Sequence, residues 1–188
     1  MMTNFILTLS LKCMLNAVSY ASSVELDRSM QHNITKPTPT YQLEKYLTVL
    51  YKNDSILDPR LLALAWMESR IRPKIKDGDK GRACGMYQIH ARYSYPYLRR
   101  KRGFNGWIES KQHKNISKEC FRLKNINYSV ESMRKLLNKM DAKNLHPCHH
   151  NSGFYGTCNS WYKKRLNYWI MYFSVQKVLC SLPKGIFK

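Results

Sequence analysis

Residues 58–70 read Asp-Pro-Arg-Leu-Leu-Ala-Leu-Ala-Trp-Met-Glu-Ser-Arg, and the reading of this stretch decides the fold. Asp58 suits a helix N-cap, because its short carboxylate can accept from the unpaired N–H groups of the first turn. Pro59 suits the first helical position, where its missing N–H is not needed and its φ is already helical. Leu61, Leu62, Leu64, Ala65 and Met67 make the helix apolar on most of its surface, which predicts a central place in the core. Pro73 disfavours helical geometry in the residue before it, so the helix is expected to end near Arg70–Arg72. Glu68 then falls in the last turn of a buried helix.

Outward from this segment the pattern stays helical. Upstream, Leu43, Tyr46, Leu47, Leu50 and Tyr51 recur at helical spacing, and Asn53, Asp54 and Ser55 break the run. Residues 22–40 are polar, end in Lys-Pro-Thr-Pro-Thr and read as an extended linker. Downstream, Gly78, Gly81 and Gly85 predict a tight loop over 74–86, followed by the basic run Arg99-Arg100-Lys101-Arg102 and a turn at Gly103–Gly106. Ser129 is expected to cap a helix reaching about Met140, with Val130, Met133, Leu136, Leu137 and Met140 on one face. Residues 148–158, rich in Gly, Cys, His and Asn, read as a structured loop. A last helix is expected from Ser160 to Leu182, with apolar surface from Trp161, Leu166, Trp169, Ile170, Phe173 and Val178. Strand signals are sparse, so residues 41–188 are expected to form one mainly α domain with little or no β-structure.

Composition narrows the partners. The chain has 188 residues, 44% of them hydrophobic, and thirteen tyrosines, enough for a packed core. Lys and Arg outnumber Asp and Glu 32 to 12, a formal charge of +20 that favours polyanions such as nucleic acid, anionic headgroups or wall polymers. Six cysteines, at 13, 84, 120, 148, 158 and 180, leave four explanations: disulfides, a metal site, a nucleophile or buried thiols. Residues 5–11 are mostly apolar, and Ser19 and Ala21 follow as a cleavage pair, so residues 1–21 read as a signal peptide for an exported protein. The run is too short to span a bilayer.

The chemistry centres on Glu68. A carboxylate at the end of an apolar helix loses hydration, and the negative end of the helix dipole opposes its ionisation. Both effects favour the protonated form that a general acid needs near neutral pH. Trp66-Met67-Glu68-Ser69-Arg70, then Gly85-Met86-Tyr87-Gln88-Ile89, then His150-Asn151-Ser152-Gly153 resemble three ordered motifs of the soluble lytic transglycosylase and goose-type lysozyme superfamily. The resemblance covers about residues 41–180 and implies a lysozyme-like helical domain. It implies Glu68 as catalytic acid/base, Ser69 as a positioning hydroxyl, Gln88 as a contact to an N-acetyl sugar and Asn151 as a substrate-holding residue. A tyrosine of the last helix, Tyr168 in preference to Tyr162, is implied beside the Glu. His149-His150 departs from the Ala-Tyr that usually precedes the Asn.

A second carboxylate would decide the reaction type. Most glycoside hydrolases use two. The resemblance implies that a lytic transglycosylase works with one, the Glu protonating the leaving oxygen and the muramic acid 6-hydroxyl then closing a 1,6-anhydro ring. Gly78-Asp79-Lys80-Gly81 resembles the Gly-Asp-x-Gly loop of goose-type lysozymes, so Asp79, or Asp77, is a candidate for holding a hydrolytic water.

Two rival readings use other residues. Cys148-His149-His150 with Cys158 offers four zinc ligands within a short span, but adjacent ligands seldom reach one tetrahedral centre. A Cys148–Cys158 disulfide is simpler in an exported protein, with Cys84–Cys120 as a second pair and Cys180 left free. The Arg99–Arg102 run suggests nucleic-acid binding, yet no recognised nucleic-acid motif accompanies it.

The expectation is an enzyme that cuts the β-1,4 bond between N-acetylmuramic acid and N-acetylglucosamine as a lytic transglycosylase. The alternatives are a goose-type lysozyme and a wall- or nucleic-acid-binding module. No metal or organic cofactor is called for. The expected partners are peptidoglycan glycan strands and anionic wall polymers, without nucleic acid and without stable membrane insertion, and the expected state is a monomer. The expected location is secreted, periplasmic or in the cell envelope, or aboard a phage particle.

Overall fold

The computed structural model describes residues 12–18, 40–53, 58–78, 81–91, 110–152 and 157–181. The expected linker up to Pro39, Asp79, the Arg99–Arg102 run and the Gly103–Gly106 turn lie outside them. Among the described residues the chain is mainly α. Its elements are α1 (Thr40–Asn53), α2 (Pro59–Ser69), β1 (Ala83–Cys84), β2 (Ile89–His90), α3 (Ser110–Leu123), α4 (Ile126–Asp141), α5 (His149–Ser152) and α6 (Ser160–Ser181). No helix among them is long and apolar enough to cross a membrane. The packing divides into two compact units, Met1–Ile71 with Lys164–Lys188, and Arg72–Lys163.

In the first unit α2 is the centre. Asp58 caps it by accepting from Arg60 N–H at 2.9 Å, Pro59 opens it, and Leu61 to Trp66 are all buried. Helix α1 covers it with Leu43, Tyr46, Leu47, Val49 and Leu50, and the Tyr46 hydroxyl donates to the Leu61 carbonyl at 3.1 Å. The C-terminal helix adds Leu166, Trp169 and Phe173, a stripe at 3–4 residue spacing, and Trp169 packs against Trp66 with ring centroids 5.3 Å apart. Trp161 and Val178, expected to supply apolar packing, are exposed instead. Residues 12–18, part of the stretch read as a signal peptide, are helical with Met14, Ala17 and Val18 buried. Tyr172 donates its hydroxyl proton to the Ala17 carbonyl at 2.9 Å. Cys180, expected to be free, is bonded to Cys13.

The second unit departs further from the sequence pattern. The 74–86 loop is in part a hairpin: β1 and β2 pair antiparallel, Ala83 opposite His90 and Cys84 opposite Ile89. Helix α3 was not expected, because its polar sequence SKQHKNISKECFRL leaves only Ile116, Cys120 and Leu123 as an apolar series. Helix α4 begins three residues before Ser129. Asn125 caps it by accepting from Tyr128 N–H at 3.2 Å, and Ser129 is buried within the helix, its hydroxyl without a hydrogen-bond partner. Asn stays near the top of the N-cap ranking, so the earlier position wins. The Cys84–Cys120 and Cys148–Cys158 disulfides form as expected.

Gly85 holds the hairpin against these helices. Its φ is +71°, and a Cβ there would lie 2.2 Å from the Leu123 carbonyl oxygen. Gly81 also has positive φ, +81°, but a Cβ there meets nothing within 4 Å. Gly85→Ala is therefore expected to destabilise by about 2–4 kcal/mol, the left-handed backbone and the overpacking adding together. Gly81→Ala is expected to cost only about 1 kcal/mol. Denaturant unfolding of the two variants checks the contrast, and equal losses would remove the close approach as the cause.

Candidate active site

The end of α2 carries the first motif. Glu68 is partly buried, one residue before the helix ends. Ser69 is fully buried and its hydroxyl donates to the Ala65 carbonyl at 3.1 Å, so it supports the helix end from inside. The chain leaves the helix through two consecutive left-handed residues, Arg70 (φ 56°) and Ile71 (φ 61°). The Arg70 N–H still reaches the Trp66 carbonyl at 3.1 Å, and the Ile71 N–H reaches back to Ala65 at 3.0 Å. A β-branched residue in this region is a true outlier, because its Cβ crowds the backbone. The Arg70 guanidinium lies over the Trp66 ring, 4.7 Å from its centroid. Burial, and then the like charge of Arg165, lower its pKa from the ordinary arginine value. Tyr168 is exposed on α6, its ring edge-on to Trp169 at 5.3 Å.

The second and third motifs lie in the second unit and are joined there. Gln88 has positive φ, 48°, and its amide is engaged at both ends. Its Oε1 accepts from Gly78 N–H at 2.9 Å and its Nε2 donates to the Gly85 carbonyl at 3.0 Å. The amide expected to contact a sugar thus pins the loop on which it sits. A Cβ at Gly78 would fall 2.6 Å from that same Oε1, so a side chain there would displace the Gln88 amide. His150 is buried and its Nε2 donates to the Tyr87 carbonyl, tying α5 to the Gly85–Ile89 segment across 63 residues. Asn151 is helical within α5, and the Cys148–Cys158 disulfide brackets that turn.

Carboxylates beyond Glu68 have defined partners here. Asp77 Oδ2 receives Lys124 Nζ at 2.8 Å, while its other oxygen is buried without a hydrogen bond. Glu119, only 1% exposed, was not singled out from the sequence. It accepts from the Tyr128 hydroxyl at 2.6 Å and from Arg122 at 3.4 Å, and Arg122 also covers the Tyr128 ring. Burial, reinforced by the bond to Glu119, pushes the Tyr128 phenol up to about 12, so it remains a donor. Glu119 itself is enclosed, Arg122 lies at the surface, and the trio joins α3 to α4.

Two features escaped sequence reading for separate reasons. Positive φ at Arg70, Ile71 and Gln88 leaves no mark in composition, since glycine is the residue that would have signalled it. The His150–Tyr87 bond joins distant positions, and only the unusual His before Asn151 hinted at a changed role. No family model, curated protein or solved structure matches the chain.

Burial, aided by nearby His90 and opposed by the Tyr87 carbonyl, pulls the His150 pKa down to about 4. Its ordinary value is 6.5, so above pH 6.5 the ring is neutral in both folded and unfolded chains. Below that, the unfolded chain binds a proton that the folded chain refuses, and stability falls until about pH 4. The expected loss over this window is roughly 3 kcal/mol, at about 1.4 kcal/mol per pH unit. Unfolding free energies measured from pH 7 to pH 4 should show this slope in the wild type and a flatter one in His150→Gln. Parallel slopes would place the acid sensitivity elsewhere.

Proposed function

We propose that this chain is a lytic transglycosylase of bacterial peptidoglycan, with Glu68 as its proton-transferring residue. The observation that carries the reading is where the backbone is strained. Among the described residues four non-glycine positions have positive φ, and three of them fall on or beside the motif residues: Arg70 and Ile71 directly after Glu68-Ser69, and Gln88 itself. Each such residue costs on the order of 1–3 kcal/mol, persists only where the surrounding structure over-determines it, and is enriched at functional sites. The bond from His150 to Tyr87, which holds two of the motif segments together, supports the same reading.

In this scheme Glu68, at the negative end of the α2 dipole, protonates the glycosidic oxygen as the bond to N-acetylmuramic acid breaks. The resulting carboxylate takes the proton of the sugar's own 6-hydroxyl, whose oxygen closes the 1,6-anhydro ring. The proton balance is complete at one residue. The motif resemblance assigns Asn151 to holding the strand and Tyr168 to the flank of the acid, while Gln88 acts by fixing its own loop. Asp77, the lesser candidate for a water-holding base, is paired with Lys124, and the single-carboxylate scheme calls on neither it nor Asp79. The charge of +20 suits a monomeric protein acting among anionic wall polymers outside the cytoplasm.

Glu68→Gln keeps the shape of the side chain and removes its proton. Clearance of purified sacculi should fall by at least about 100-fold, the lower end of what acid–base catalysis contributes, with the folded state retained. Near wild-type clearance by this variant would sink the assignment. Mass spectrometry of the wild-type products should find anhydro ends, about 18 daltons lighter than the reducing ends that hydrolysis leaves. Reducing ends throughout would instead make the protein a hydrolase of the same bond.

A further inference from the structure

The loop around Cys148 holds a set of ligand atoms different from the one its sequence suggests. His150, the second histidine of the Cys148-His149-His150 series, is committed to the Tyr87 carbonyl. His146 comes in from the other side of Pro147. A ring nitrogen of His146 and the sulfurs of Cys148 and Cys158 all lie within 4.8 Å of one another. Backbone bonds from His149 to His146 and from His150 to Pro147, both 3.0 Å, hold the turn that places them. The Cys148 N–H donates to His146 Nδ1 at 3.1 Å and sets the ring's direction. Cys148 is buried and the other two are half-buried, so a bound ion would be shielded on one side and reachable on the other.

We propose that, once the Cys148–Cys158 disulfide is reduced, Cys148, Cys158 and His146 bind one Zn2+ ion. A tetrahedral zinc centre with bonds of about 2.3 Å to sulfur and about 2.0–2.1 Å to nitrogen sets its ligand atoms roughly 3.4–3.8 Å apart. The histidine nitrogen lies no more than 4.8 Å from either sulfur, within about an ångström of that spread, whereas the two sulfurs are bonded to each other. The change required is separation of the two sulfurs, which rotation about the Cα–Cβ bonds supplies when the bond between them is gone. A dithiol reductant delivers the two electrons and two protons, becoming a disulfide itself, and leaves Cys148 and Cys158 as thiols. Zinc then displaces both thiol protons and takes the neutral imidazole as third ligand, at the expense of the weak bond from Cys148 N–H. A water fills the fourth position. Two thiolates neutralise the ion, so a chain already at +20 gains no charge on binding. The disulfide and the metal are thus alternative clasps on the same loop, one for each redox state. This proposal stands apart from the reading of Glu68.

The experiment uses the full chain, reduced with a dithiol that is then removed without air, and challenged with iodoacetamide with and without Zn2+. Peptide mapping reports each cysteine separately. The expected result is that one equivalent of Zn2+ slows alkylation of Cys148 and Cys158 at least about tenfold and leaves Cys13, Cys84, Cys120 and Cys180 unchanged. His146→Ala should lose most of that protection, and the unreduced protein should bind no zinc at this loop. Co2+ in place of Zn2+ should give a thiolate-to-metal absorption band in the reduced wild type that Cys158→Ser abolishes. Alkylation of all six cysteines alike in the presence of zinc, including through loss of the reduced fold, would overturn the proposal. So would protection that is undiminished in His146→Ala.

Discussion

A helix that is apolar on nearly every side has to be enclosed, and α2 imposes that requirement on the first unit. Its six consecutive buried residues from Leu61 to Trp66 leave no face for water. Burying a side chain of the size of leucine is worth about 1.5–3 kcal/mol, so enclosure is strongly favoured. The cover comes from distant parts of the chain: α1 just upstream and α6 a hundred residues later. Their packing is tight enough that the indole N–H groups of Trp66 and Trp169 are buried without hydrogen bonds.

The enclosure also determines how α2 ends. The helix cannot continue into Pro73, and it leaves through Arg70 and Ile71 in left-handed geometry rather than through a glycine. Arginine brings something glycine lacks, a guanidinium that lies on Trp66 and caps the aromatic cluster. Glu68 lies two residues before this left-handed exit, in the last turn of the helix. Strain after the residue and rigidity before it keep the carboxylate's backbone in one place.

In the second unit covalent and close backbone contacts reinforce an apolar core that includes Met86, Tyr87, Ile89, Val130, Met133 and Leu137. Gly85 admits the Leu123 carbonyl where any side chain would collide. The Cys84–Cys120 disulfide binds the same hairpin to α3, and Cys148–Cys158 closes the turn that bears Asn151. Between these anchors the His150–Tyr87 and Gln88–Gly78 bonds connect short segments. Small loop-rich regions commonly rely on such ties, since loop closure limits the freedom of the unfolded chain. The zinc proposal extends the same logic, with a metal replacing a disulfide as the tie.

What the sequence determined by itself is local in origin. Asp58-Pro59 marked the start of α2, Pro73 bounded its end, and the spacing of Leu43, Tyr46, Leu47 and Leu50 marked α1, because capping and periodicity act over a few residues. The Cys148–Cys158 and Cys84–Cys120 pairings were among those the sequence allowed, but only the tertiary structure selects them. The tertiary structure decided what depends on residues far apart. It placed Cys13 with Cys180, drew α3 from a sequence with little apolar signal, and turned the Gln88 amide inward onto Gly78 and Gly85. It moved the cap of α4 from Ser129 to Asn125 and set His146, not His150, beside the Cys148–Cys158 pair. The physical reason is common to all of these: a side chain's nearest partners are chosen by packing, and packing brings together positions that no window of sequence contains.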